Sequence, residues 1–159
     1  MLTDIERQQI EEELAHGATP EAGCIEALKV VQQHRGWVSD EAVADLVPVL
    51  GMSPAEIDSV ATFYNLIFRR PVGKHVIMVC DSVSCWVCGE ERVMQHLTRK
   101  LGVQPGETTP DGLFTLLVIC CLGHCDQAPA MMLDGEIVGN LTEGKIDEMI
   151  ERLRSEGIA

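Results

Sequence analysis

The chain has 159 residues, of which 46% are hydrophobic and 23% are charged, which is typical of one small globular domain with an extension and unlike a disordered or fibrous protein. The 12 Lys and Arg residues against 25 Asp and Glu residues give a formal net charge of -13, which would repel nucleic acid and anionic membrane surfaces. No apolar run approaches the roughly 20 residues that span a bilayer, and the acidic N-terminus is unlike a signal peptide. We therefore expect a cytoplasmic protein with protein partners, no nucleic acid and no direct membrane insertion.

Residues 1–70 form the first predicted domain, a small helical bundle. Apolar residues such as Val43, Leu46 and Leu50 recur at helical spacing and would pack against other helices. Another helix is predicted from Ala55 to Ile67, because a capping box precedes it. That capping signal is Ser53 with Pro54 and Glu56. Thr19 with Pro20 predicts another helix start, and the glycines Gly17, Gly36 and Gly51 predict helix ends.

Four side chains near the end of this domain are candidates for partner contacts: Phe63, Tyr64, Arg69 and Arg70. Aromatic residues often anchor interfaces, but burial tendencies favour core positions for Phe63 and Tyr64. We expect the two arginines to be solvated.

Two predicted β-strands each end on cysteines. The run from His75 to Val79 leads into Cys80, and the apolar run from Leu113 to Ile119 leads into Cys120 and Cys121. If these strands are parallel neighbours, both following loops emerge at the same edge of a sheet. The two groups of cysteines would then face each other.

The remaining pattern completes residues 71–159 as a domain of the α/β class. A helix is predicted over 89–101, between the two cysteine-ending strands. Asp134 with Gly135 predicts a two-residue hairpin turn between two short strands, and Thr142 predicts the start of a final helix. The order β, α, β, β, α places a central mixed sheet between helices, which is the thioredoxin-like arrangement.

Six of the 7 cysteines fall into these two groups, and thiolates are the ligands of soft metals and iron–sulfur clusters. Cys80 and Cys85 are spaced C-x4-C, and Cys121 and Cys125 are spaced C-x3-C. Two irons bridged by two sulfides need two terminal thiolates each, so one pair from each group would complete the shell. Gly123 either aims its N–H at a sulfur or is a plain turn glycine.

Three other uses of the cysteines stay open on spacing alone. Structural zinc also takes four cysteine ligands. Cys85 and Cys88 form a C-x-x-C between a strand and a helix, as in a thiol–disulfide oxidoreductase. Cys80, Cys85 and Cys88 match the plant-type ferredoxin run C-x4-C-x2-C, although a helix predicted immediately afterwards favours two ligands from each group.

Longer stretches around these cysteines resemble a known family. They are VATFY at 60–64, CDSVSC at 80–85, FTLL at 114–117 and CCLGHC at 120–125. Together they are similar to the family of the 24 kDa subunit of respiratory complex I, which is the bacterial NADH-quinone oxidoreductase. The resemblance covers nearly the whole chain.

The resemblance implies a helical N-terminal region and a thioredoxin-like ferredoxin domain that holds one [2Fe-2S] cluster through Cys80, Cys85, Cys121 and Cys125. It implies an electron-transfer subunit, not catalytic alone, in the peripheral arm of a membrane-bound complex. The cluster would exchange single electrons with the FMN of a flavoprotein partner that also binds NADH. The alternative is the equivalent diaphorase subunit of a soluble NAD-dependent hydrogenase or formate dehydrogenase, because these relatives share the domain.

The resemblance leaves three cysteines outside the ligand set. We expect Cys120 to point away from the cluster if strand alternation continues through it, Cys88 to be a small buried or partly exposed thiol, and Cys24 to pack in the helical core. Pro129 is expected to be a trans turn former, because only a minority of X-Pro bonds are cis.

Overall fold

The computed structural model describes residues 1–17 and 19–156. The chain divides into two compact units, the first spanning Met1–Pro71 and the second starting at Val72. Each unit has its own cluster of buried apolar side chains. Within the described ranges, every helix is too short or too polar to cross a membrane.

In its described residues, the first unit contains four α-helices around one apolar core. They are α1 (Asp4–Leu14), α2 (Cys24–Arg35), α3 (Asp40–Leu50) and α4 (Pro54–Phe63). Gly36 and Gly51 end α2 and α3 in the left-handed conformation, with φ values of 80° and 67°, as the sequence predicted. Thr19 caps a short 3-10 turn, Pro20–Gly23, that leads into α2.

Helix α4 starts where predicted and ends earlier. The Ser53 hydroxyl accepts a hydrogen bond from the Glu56 N–H at 3.3 Å, and the Glu56 carboxylate accepts one from the Ser53 N–H at 2.8 Å, so the capping box is confirmed. The predicted end at Ile67 is wrong, because the chain becomes extended at Tyr64. Tertiary contacts replace further helical bonds: the Phe68 N–H donates to the Gln32 side chain at 2.6 Å.

The predicted core positions of Phe63 and Tyr64 are also wrong. Their side chains are 80% and 42% exposed, and the two rings contact each other edge to face with centroids 5.2 Å apart. The buried face of α4 is formed by Ile57 and Ala61 instead. Phe63 is the last residue of α4 and lies on a different side of the helix from Ile57 and Ala61, and Tyr64 follows the end of the helix.

Arg69 is held in ion pairs, so the expectation that it is solvated is wrong. Its guanidinium lies 2.6 Å from the Asp40 carboxylate and 2.7 Å from that of Asp58, and it also donates to the Val38 carbonyl. These partners are far away in sequence, so no local pattern reveals them. Arg70 is exposed, as expected.

Glu6 and Arg35 form a partly buried ion pair between α1 and α2. The Glu6 side chain is 1% exposed, and Arg35 donates to its two carboxylate oxygens at 2.6 and 2.9 Å. These bonds from Arg35, together with those from Thr3, lower the pKa of Glu6 to about 2 despite its burial. The carboxylate is therefore ionised throughout the neutral range.

Up to residue 156, the second unit contains a four-stranded mixed sheet and three α-helices, and its fold class and thioredoxin-like arrangement are as predicted. The sheet order is β2-β1-β3-β4, with β1 parallel to β2 and the other neighbours antiparallel. The elements are β1 (His75–Cys80), α5 (Val83–Val87), α6 (Glu90–Leu101), β2 (Phe114–Ile119), β3 (Met131–Leu133), β4 (Glu136–Val138) and α7 (Glu143–Glu156). The five-residue helix α5 was not predicted.

The turn between β3 and β4 is fixed by its two predicted residues. Asp134 and Gly135 have φ values of 50° and 90°, the left-handed conformation that a two-residue hairpin requires. The Asp134 carboxylate also accepts hydrogen bonds from the Val76 N–H at 2.8 Å and from His75 Nδ1 at 2.7 Å. The turn is thereby attached to the start of β1.

Candidate metal centre

The two cysteine groups lie at the same edge of the sheet. Cys80 is the last residue of β1 and pairs in parallel register with Ile119, the last residue of β2. Cys120 and Cys121 follow directly. The Asp81 N–H donates to the Ile119 carbonyl at 3.1 Å, so the two segments remain joined one residue beyond Cys80. Parallel pairing therefore starts both cysteine loops side by side.

The sulfur atoms are arranged in pairs. The Cys121 and Cys125 Sγ atoms are 3.6 Å apart, and Cys80 and Cys85 are both 2% exposed. Over residues 1–17 and 19–156, no three His, Cys, Asp or Glu side chains are grouped closely enough for a single metal ion. One buried pair and one exposed pair of thiols thus form the site.

Gly123 donates its N–H to the Cys121 sulfur at 3.3 Å, which confirms one of its two predicted roles. Its φ of 75° is a conformation that glycine adopts without strain. This N–H, followed by the contact with Cys125, lowers the pKa of the Cys121 thiol. The loop backbone therefore favours a thiolate at Cys121.

Burial and thiol contacts act in the opposite direction on two other cysteines. Burial raises the pKa of Cys85 to about 11, and its neighbour Cys80 contributes to the rise. The contact with Cys121 raises the pKa of Cys125. Among Cys85, Cys121 and Cys125, only Cys121 has a lowered pKa.

Two serines that the sequence reasoning missed belong to the site. Ser82 contributes to lowering the pKa of the Cys121 thiol, and Ser84 opposes the rise in the pKa of the Cys125 thiol. Both serines stand inside the C-x4-C segment, one of them at the N-cap of the unpredicted helix α5. Their position between two predicted ligands was the one signal that could have identified them.

The second cysteine loop is packed tightly against the end of β4. A Cβ atom placed on Gly139 would be 2.5 Å from the Gln127 Cβ and 2.9 Å from the His124 ring, so only glycine fits there without movement.

The Ala128–Pro129 peptide bond is cis, and the expected trans bond is therefore wrong. X-Pro bonds prefer trans only weakly, and local sequence does not determine the isomer.

The three cysteines outside the predicted ligand set differ in exposure. Cys24 is 2% exposed in the core of the first unit, which confirms its packing role. Cys88 lies at the C-cap of α5 and is exposed, whereas we expected a buried or partly exposed thiol. Cys120 is exposed as well.

Known proteins are similar to this chain along almost its whole length. The family description "Thioredoxin-like [2Fe-2S] ferredoxin" matches residues 10–154. The NADH-quinone oxidoreductase E subunit of Pseudomonas aeruginosa is 46% identical over 95% of this chain and 91% of its own length. The Escherichia coli protein of the same name is 48% identical over 96% of this chain and 92% of its own length.

A solved structure is also similar. One polypeptide of an NAD+-reducing [NiFe]-hydrogenase in the air-oxidized state is 30% identical, with a TM-score of 0.74 over 84% of this chain and 23% of that polypeptide. Identity is higher to the two oxidoreductase subunits than to the hydrogenase polypeptide. This chain therefore belongs to the thioredoxin-like [2Fe-2S] ferredoxin family, within the group of NADH-quinone oxidoreductase E subunits.

Proposed function

We propose that this chain is the electron-transfer subunit of an NADH-quinone oxidoreductase, the complex after which its relatives at 46% and 48% identity are named. Its ligands for one [2Fe-2S] cluster are Cys80, Cys85, Cys121 and Cys125. The bound cluster supplies the capacity to accept and release single electrons. The chain is not catalytic alone and belongs to the peripheral arm of the complex.

The observation that supports this proposal most is the meeting of two thiol pairs at one sheet edge. Cys80 ends a strand parallel to the one that precedes Cys121, and the Cys121 and Cys125 sulfurs are 3.6 Å apart. Two pairs of thiolates are the donor set that a two-iron cluster requires. The Gly123 N–H adds a donor of the kind that stabilises negatively charged sulfur.

The two pairs have different tasks in this proposal. Cys80 and Cys85 are buried and keep water away from one side of the site. Cys121 and Cys125 are exposed and leave the other side open to a redox partner. We assign the site to an electron-transfer domain of residues 71–159 and the helices to a separate domain of residues 1–70.

The redox partner in this proposal is the flavoprotein subunit of the same complex, which binds FMN and NADH. The chain itself has no G-x-G-x-x-G segment, the glycine pattern that holds a dinucleotide pyrophosphate. NADH oxidation is therefore assigned to the partner. The residues of this chain hold the one-electron centre and set its surroundings.

One alternative has a specific observation in its favour. The likeness to a polypeptide of an NAD+-reducing [NiFe]-hydrogenase supports an equivalent diaphorase subunit, but the lower identity of 30% ranks it second. A thiol–disulfide oxidoreductase through Cys85 and Cys88 has less support. Burial raises the pKa of Cys85 to about 11, whereas an attacking dithiol needs a lowered pKa.

The proposal is tested by co-expressing the full chain with the flavoprotein subunit of an NADH-quinone oxidoreductase and purifying both anaerobically. We expect the two to co-purify, and low-temperature EPR to show a [2Fe-2S] signal that grows as the NADH/NAD+ ratio rises. A Cys121→Ser variant of this chain should still co-purify and should lack that signal.

Two outcomes would contradict the proposal. A [2Fe-2S] signal that is present but does not respond to NADH would remove the electron-transfer role while leaving the cluster. Co-purification with a hydrogenase diaphorase flavoprotein, and not with the respiratory one, would favour the second candidate.

A further inference from the structure

Helix α5 has one buried side and one exposed apolar side. Cys85 lies on the buried side and is 2% exposed. Val83, Trp86 and Val87 are spaced i, i+3 and i+4, so they share the opposite side of the helix. Their side chains are 70%, 63% and 72% exposed. The helix that carries a predicted cluster ligand therefore exposes three large apolar side chains to solvent.

These three side chains form a surface that we call the α5 patch (Val83, Trp86 and Val87). The core of the second unit is built from other residues, such as Val93 and Leu97 of α6. Single exposed apolar residues are ordinary on a protein surface, whereas a group of them marks a contact surface. Tryptophan is also enriched among the residues that contribute most to binding energy at interfaces.

The α5 patch starts at the sheet edge where the exposed pair of predicted ligands also starts. The Asp81 N–H donates to the Ile119 carbonyl at 3.1 Å. Helix α5 begins two residues after Asp81, and the loop with Cys121 and Cys125 begins soon after Ile119. A five-residue helix is only about 7.5 Å long. A protein that contacts the α5 patch is therefore next to the candidate metal centre.

Carboxylates predominate around the α5 patch. In residues 80–92 and 120–127, all of which the structure describes, the exposed charged side chains are Asp81, Glu91, Asp126 and Arg92. The chain as a whole has a net charge of -13. A second copy of the chain carries the same charges and would be repelled. A partner with Lys and Arg around an apolar pocket is complementary to this surface.

We propose that the α5 patch is the docking site of the redox partner, and that Trp86 inserts into an apolar pocket of the flavoprotein subunit with basic residues at its rim. This inference rests on the proposed function, because it takes that subunit as the redox partner. Electron transfer slows steeply with distance, so the partner has to dock beside the cluster. The α5 patch meets that condition, because α5 also carries Cys85.

The test compares single variants of the full chain, purified anaerobically with the cluster bound, in binding to the purified flavoprotein subunit of an NADH-quinone oxidoreductase. Trp86→Ala removes the indole, and Val87→Ala shortens a second side chain of the patch. Ile5→Ala is the matched control, because Ile5 is also 63% exposed and lies on α1 in the first unit. Iron content, the EPR signal and the Kd at low and high NaCl are measured for each variant.

We expect Trp86→Ala to keep the iron and the [2Fe-2S] signal of the wild type and to weaken binding about 30-fold or more, as loss of a central interface tryptophan does. Val87→Ala should weaken binding by less, and Ile5→Ala should bind like the wild type. Binding should also weaken as NaCl rises, because salt screens the attraction between the carboxylates and a basic rim.

Several outcomes would overturn the inference. One is a Trp86→Ala protein that binds as tightly as Ile5→Ala. Another is a wild-type dimer in sedimentation equilibrium that Trp86→Ala converts to a monomer, because the patch would then bind a second copy. If Trp86→Ala loses iron, Val87→Ala decides: unchanged affinity overturns the inference and weakened affinity supports it. A wild-type chain that holds its cluster but does not bind the flavoprotein subunit would instead contradict the proposed function itself.

Discussion

Glu6 connects the stability of the helical unit to pH through a single carboxylate. Arg35 lowers its pKa from 4.5 to about 2, so the folded form binds this proton more weakly than the unfolded form. A carboxyl pKa that is lowered by folding stabilises the folded state at pH values above the pKa of the unfolded state. That contribution is lost as pH falls from 4.5 toward 2. The full contribution is about 3 kcal/mol by linkage.

We therefore expect the free energy of unfolding of the wild type to fall more steeply between pH 5 and pH 2 than that of Glu6→Gln. Chemical denaturation at a series of pH values, followed by circular dichroism, measures this difference. Glu13→Gln, which changes an exposed carboxylate of the same helix, is the control and should follow the wild type. Equal slopes for wild type and Glu6→Gln would contradict the role of the ion pair.

Single residues were predictable from sequence where a local pattern constrained them. The Ser53 cap and the Gly123 N–H follow from residue type and from neighbours within three positions. Arg69 depends on Asp40, which is 29 positions away, and the exposure of Phe63 depends on which face of α4 packs in the core. Contacts of that kind require the fold, so sequence reasoning assigned both residues wrongly.

The β3–β4 hairpin depends on one side chain as well as on its turn. Asp134→Ala would remove the acceptor for the Val76 N–H and the partner of His75, and alanine adopts positive φ less readily. We expect the free energy of unfolding to decrease by about 1–3 kcal/mol. Urea denaturation followed by circular dichroism measures the change.

Asp134→Asn is the matched variant for this prediction. Asparagine can still accept from the Val76 N–H and tolerates the left-handed conformation, so its loss should be smaller. If Asp134→Asn lowers the free energy of unfolding as much as Asp134→Ala does, the hydrogen bonds of the turn contribute little to stability.

The strands and the hairpin could be predicted because their signals are local and strong. Apolar runs defined β1 and β2 to within one residue, and the Asp134-Gly135 pair located the turn between β3 and β4. Helix α5 was missed because five residues that include Val83 and Val87 have weak helix propensity.

At the scale of the whole molecule, topology brings the candidate ligands together. Parallel pairing of β1 and β2 places two loops that are 41 positions apart in sequence, from Cys80 to Cys121, at one sheet edge. The sequence predicted this edge and the α/β class, because each strand visibly ends on cysteine. The choice of four ligands among six cysteines came from the family resemblance, and it remains a prediction.

The iron content of two anaerobically purified variants tests that choice most directly. Cys125 lies 3.6 Å from Cys121, whereas Cys88 is exposed at the end of α5. We predict that Cys88→Ser retains the two irons and the [2Fe-2S] EPR signal of the wild type, because that thiol is not a ligand. Cys125→Ser should lose both. Iron loss in Cys88→Ser with retention in Cys125→Ser would contradict this ligand set and support a ligand run of Cys80, Cys85 and Cys88.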